Sequence, residues 1–175
     1  MNPVLEPIWE SHLRIVDAFT ITRRILLNPD LAGNHTLPLA KTEFDGLNAQ
    51  DADARIDAAQ EQLDDQTVLA LYAAFESELR DHLIAQSVHL KTHATNPNAT
   101  FAAALADEYE SWCDDWKMNR VAKLFEPTVG TTLVAQVGQI RAYRHWVAHG
   151  KRRNKPAQTA PAFAYRTLDA FLSKV

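Results

Sequence analysis

The segment Arg141-Ala-Tyr-Arg144-His145-Trp-Val-Ala-His149-Gly150, followed at once by Lys151-Arg152-Arg153-Asn154-Lys155, concentrates more chemistry than the rest of the chain. Histidine can give or take a proton near neutral pH, because its unperturbed titration falls there. Arginine offers a planar, permanently charged fork that grips a phosphate or carboxylate through paired hydrogen bonds. Proton-transfer groups, phosphate-binding groups and a basic platform (Lys151, Arg152, Arg153 and Lys155) side by side point to chemistry on a phosphodiester.

At about 100° per residue, Arg141, His145, His149 and Arg152 drift along one stripe of a helix. Arg144 lies about 60° away, in phase with Ile140 and Val147. The spacing therefore predicts a partly buried guanidinium that needs a carboxylate or phosphate. His149 falls in the last helical turn, where the dipole favours the imidazolium form. Beside fixed arginines it suits the role of general acid for an alkoxide leaving group. The arginines would stabilise charge on a pentacoordinate phosphorus. Upstream, Glu76 sits at the edge of an apolar arc, where a carboxylate should not stay unpaired. Its natural partner is Arg144 or Arg141, either to orient the arginine or simply to join two helices.

These residues need helices to place them. Five glycines, abundant alanine and leucine and no sustained period-two alternation predict an all-α chain, an antiparallel bundle of five or six helices. At 175 residues it reads as a single domain. The first helix spans about 4–27, with Ile8, Ile15, Phe19 and Leu26 on one face. Residues 28–49 read as a long polar connection, a flap or binding loop. A short acidic helix over 51–63 is expected to lead into a stronger one over 67–90, whose inward arc is Val68, Leu71, Tyr72, Phe75, Leu79 and Leu83. A third begins near Thr100, with Phe101, Leu105, Tyr109, Trp112 and Trp116 as an aromatic stripe that is core at this spacing. Glu126-Pro127 interrupts it. The helix carrying the motif runs over 131–149, with Gly150 in the left-handed position past its end. Thr159 is expected to cap a final helix, with Pro161 in its first turn and Phe163, Leu168, Phe171 and Leu172 as anchors.

Net charge is −4, but residues 1–138 carry 10 Lys+Arg against 21 Asp+Glu, whereas residues 139–175 carry 8 against 1. A nucleic-acid argument from the whole chain fails; a local one survives. The basic end docking on the acidic bulk of its own chain is an equal reading of charge alone. The single Cys113 excludes an intrachain disulfide framework and any multi-cysteine zinc module. With no secretory pattern and no spanning apolar run, a soluble cytoplasmic protein without membrane association is expected. A metal site on His89 and His93, with Asp81 and His82 two turns earlier, lacks a fixed carboxylate or cysteine. A hydrolase on Cys113 has no neighbouring base. Neither nucleophile-elbow nor phosphate-cradling glycine patterns occur.

Arg144-His145-Trp146-Val147-Ala148-His149 resembles the Arg-x4-6-His signature of HEPN ribonucleases, in the variant with a polar residue after the arginine. Leu71-Tyr-Ala-Ala-Phe-Glu76-Ser-Glu-Leu79-Arg resembles the acidic second-helix signature of the HEPN branch linked to RNA repair and stress defence. The resemblance covers about residues 65–150. It implies a helical homodimer that cuts RNA without metal or other cofactor. The ribose 2′-OH would be the nucleophile, and a 2′,3′-cyclic phosphate the product. Arg144 would hold the phosphate, His149 would shuttle protons and His145 would tune the pair; Arg141 and Glu76 are added in support from helix geometry, not from the resemblance. Such a protein acts as a toxin or defence effector, with an antitoxin or sensor as possible partner. No tyrosine follows His149, which departs from HEPN toxins paired with a nucleotidyltransferase. The competing reading is a non-catalytic HEPN-like module that binds RNA, a nucleotide or another protein.

Overall fold

A computed structural model describes residues 2–27, 41–92, 99–112, 117–152 and 154–175. Among these the chain is all-helical, with seven helices and no strand. They are α1 (Glu6–Leu27), α2 (Ala49–Thr92), α3 (Ala99–Trp112), α4 (Met118–Leu124), α5 (Glu126–Val129), α6 (Thr131–Ala148) and α7 (Pro161–Leu172). Most of the expected 28–49 connection, with Arg153, His93, Cys113 and Trp116, lies outside the described residues.

The spine is α2, 44 residues long, against which α1, α3, α6 and α7 all pack. Asn48 starts it: its side-chain oxygen accepts the Asp51 N–H at 2.9 Å while its amide donates to the Asp51 carboxylate at 2.7 Å, a reciprocal cap. Two separate helices were expected here; the chain instead runs straight through Asp64-Asp65-Gln66. No glycine or proline interrupts this stretch, and Asp65 is buried and hydrogen-bonded rather than solvated. The expected arc of Val68, Leu71, Tyr72, Phe75, Leu79 and Leu83 is buried throughout. It meets Val137, Ile140 and Tyr143 of α6 and Ala164, Leu168 and Phe171 of α7, with Phe75 and Phe171 edge to face at 5.3 Å. Burying each such apolar side chain contributes roughly 1.5–3 kcal/mol before conformational entropy is subtracted.

Three expectations about packing fail. The buried residue of α1 is His12, not Ile15, which is 38% exposed. His12 is tolerated there because its Nδ1 pairs with Thr67 Oγ1 at 3.1 Å and its ring stacks on Trp9 at 5.2 Å. On α3 the buried residue is Ala106, while Phe101 is 70% exposed and Leu105 is exposed as well. Tyr109 of the same stripe is partly buried against the core. Finally, Ala160 rather than Thr159 occupies the cap position of α7, and no side chain caps it. Pro161 does stand in the first turn, where its missing N–H leaves no donor orphaned. Pro127 does the same for the one-turn α5.

Candidate functional site

The floor of the site is one face of α6. Arg141, Ala142, His145, Trp146 and His149 recur at helical spacing and together line a cavity of about 840 Å³. The opposite wall comes from the chain after α6, through Arg152, Asn154 and Pro156. That size lies within the ordinary range for small-molecule sites, roughly 300–1,000 Å³. The rings of His145 and His149 are 4.2 Å apart between centroids, edge to face.

The chain can turn back because of how α6 ends. Gly150 adopts φ 70°, the Gly150 N–H bonds to the Val147 carbonyl at 2.9 Å, and the Lys151 N–H bonds to the Trp146 carbonyl at 2.9 Å. This is the paired closure by which a left-handed glycine satisfies the last carbonyls of a helix. Lys151 also lies at positive φ, 59°, an uncommon conformation for a residue with a Cβ. Its ammonium explains why it stays there: it sits 2.8 Å from Asp65 Oδ2 and 3.0 Å from Glu61 Oε1. The Tyr143 hydroxyl donates to Asp65 Oδ1 at 2.7 Å. Asp65 thus ties both α6 and the segment after it to α2.

The charges respond accordingly. Donating hydrogen bonds to Asp65 and then Glu61 holds the Lys151 ammonium well above the usual lysine range. Burial first, and the bond to Asp65 second, push the Tyr143 phenol up to about 12. Burial, with Glu76 nearby, raises Tyr72 further still. The Tyr72 hydroxyl is buried with no hydrogen-bond partner among the described residues.

The sequence-predicted residues fall into two groups. Arg141, His145, His149 and Arg152 share the cavity. Arg144 is not among its walls. It faces α2, with Nη2 3.6 Å from Glu76 Oε2 and its guanidinium 5.8 Å from the centre of the Tyr72 ring. The expected Arg144–Glu76 pairing is therefore present, half-buried at 35% and 23% exposure. Its separation makes it charge attraction rather than a bidentate clamp. Of the basic platform, Lys151 is committed to Asp65 and Glu61, and Lys155 places its ammonium 5.6 Å from the centre of the Trp146 ring. His82 meets Gln86 and the edge of Phe125 instead.

Asp65 and Tyr143 were missed by sequence reasoning, although Asp65 shares the helical phase of Val68 and Tyr72, an anomaly for a carboxylate. Asn154 and Pro156 gave no signal, because their place depends on the turn at Gly150. No helix among the described residues is long and apolar enough to cross a membrane. No family model, curated protein or solved structure matches this chain.

Proposed function

We propose that the chain is a metal-independent endoribonuclease of HEPN type, acting as a toxin or stress effector. The observation that supports this reading best is the pair of imidazoles 4.2 Å apart in a cavity walled by Arg141 and Arg152. A neutral imidazole of the pair takes the proton of the ribose 2′-OH, and the 2′-oxygen attacks phosphorus. The bond to the 5′-oxygen breaks, and that oxygen takes a proton from the other, protonated imidazole. The products are a 2′,3′-cyclic phosphate and a 5′-OH end. Arg141 and Arg152 carry the phosphate charge as it builds in the transition state. Two guanidiniums in the walls also oppose a divalent cation, so the chemistry of the site favours general acid–base work over Lewis-acid work. Arg144, held by Glu76 outside the cavity lining, reaches the phosphate only if that loose pairing opens. A second copy of the chain facing the same RNA, as the HEPN resemblance implies, would supply a second such motif.

Incubation of purified protein with RNA in excess chelator tests this. Cleavage leaving cyclic-phosphate ends, lost in His149→Ala and His145→Ala, is the expected result; intact RNA contradicts it. A second reading has one observation in its favour: Arg144 is held against α2 rather than in the cavity. A module that binds RNA or a nucleotide without cutting it accommodates that placement. In that case RNA is retained and remains whole.

A further inference from the structure

Beyond the imidazoles the cavity changes character. Apart from Arg141 and Arg152, its remaining walls are Trp146, Ala142, Pro156 and Asn154. None of these is a cation or a proton-transfer group. All of them suit a flat heterocycle with polar edges. Trp146 is half-buried against the core and braced by Tyr143 at 5.7 Å, so its ring is fixed. The ammonium groups of Lys151 and Lys155 lie 5.5 and 5.6 Å from its centre. Lys151 is anchored by two carboxylates, whereas Lys155 is exposed on the segment after the turn.

We infer that Trp146 and Asn154 form a nucleobase subsite, which takes an unpaired base of the nucleotide next to the phosphate at His145 and His149. The base lies against the indole, with sequence-tolerant stacking as the main attraction. The Asn154 amide, one acceptor and two donors, meets the base edge and sets preference among bases. Lys155 leaves the ring for the flanking phosphate. A base can enter only if it is splayed out of a helix, so the substrate class is single-stranded or looped RNA rather than duplex. This assignment deepens the endoribonuclease reading and rests on it for the position of the scissile bond; the base-binding surface itself does not.

The test is titration of the full chain, in chelator, with the four nucleoside 3′-monophosphates and with inorganic phosphate, followed by calorimetry. Nucleotides should bind at least about ten-fold more tightly than phosphate, the scale of one base–aromatic stack. Trp146→Leu should bring them to the phosphate level, and Asn154→Ala, at an exposed position, should narrow the spread among the four bases. Equal affinity for nucleotides and phosphate overturns the subsite. So does unchanged nucleotide affinity in both variants, with thermal melting used to show that Trp146→Leu is folded. Should Trp146→Leu not fold, the non-aromatic Trp146→Met and Asn154→Ala decide the matter by the same comparison. A protein that binds nucleotides this way but leaves RNA intact keeps the subsite and loses the nuclease. A protein that cleaves RNA with the same rate and base preference in both variants keeps the nuclease and loses the subsite.

Discussion

His145 on α6 and His149 just past its end are exposed, so their removal should disturb chemistry and not folding. Replacing either by alanine is expected to slow RNA cleavage by about 100-fold or more, the range for a general acid or base, with an unchanged melting temperature. Arg141→Ala should match that loss more closely than Arg144→Ala does, because Arg141 lines the cavity and Arg144 does not. An Arg144→Ala enzyme that is dead while Arg141→Ala is fully active would reverse this ranking. Glu76→Gln frees Arg144 at a stability cost of about 1 kcal/mol or less, since exposed or half-exposed ion pairs rarely contribute more. Much of this was legible before any coordinates. A period of 3.6 residues is enough to align Arg141, His145 and His149 and to set Arg144 towards the apolar side. What the period could not tell was whether Arg144 or Arg141 would meet Glu76.

The course of the chain after α6 depends on contacts far away in sequence. Asp65 accepts from both Tyr143 and Lys151, and it is buried. Asp65→Asn should therefore lower stability by about 1.5–3 kcal/mol, the range for hydrogen bonds to a charged group. It should also loosen the segment that carries Arg152 and Asn154, raising KM for RNA more than it lowers kcat. Denaturant melts and steady-state kinetics on the same preparation separate the two effects. Gly150→Ala, forced to keep φ 70°, should cost about 1–2 kcal/mol. The α1–α2 contact brings a pH dependence of its own. His12 is held below its ordinary value chiefly by desolvation, with Asp64 pulling the other way. The folded chain thus binds its proton less readily than the unfolded chain does. Stability contributed there is complete above the unfolded value near 6.5 and declines as pH falls through it. Asp64 is itself raised by burial, and its contribution runs opposite in sign, but in the carboxylate range at lower pH. Melting between pH 7.5 and 5.5 should fall for the wild type and flatten for His12→Gln; equal slopes contradict the assignment. Neither device could be read from local pattern. Asp64-Asp65 looks like a polar break between two helices until Tyr143, 78 residues on, is seen to donate to it. His12 looks like a solvent residue until Thr67 is placed beside it.

The whole chain is acidic while its last 37 residues are strongly basic, and part of that contrast is used internally, through Lys151 on Glu61 and Asp65. The fold class was readable because alanine- and leucine-rich stretches with few glycines leave helices as the main option. The helix count was not, because breaks depend on caps and pairing rather than composition. If Arg141, Arg152 and Lys155 bind phosphate as proposed, their small number inside an acidic molecule predicts a shallow salt response. About three neutralised phosphates on a single strand give a slope near −2 in log affinity against log salt. A much steeper slope would mean that RNA crosses a larger surface, including a second copy of the chain.

The most direct measurement is end-group analysis of RNA incubated with purified wild-type protein and with His149→Ala, both in chelator. The account predicts 2′,3′-cyclic phosphate and 5′-OH ends from the wild type alone. Uncut RNA from the wild type, or equal cutting by the variant, contradicts it.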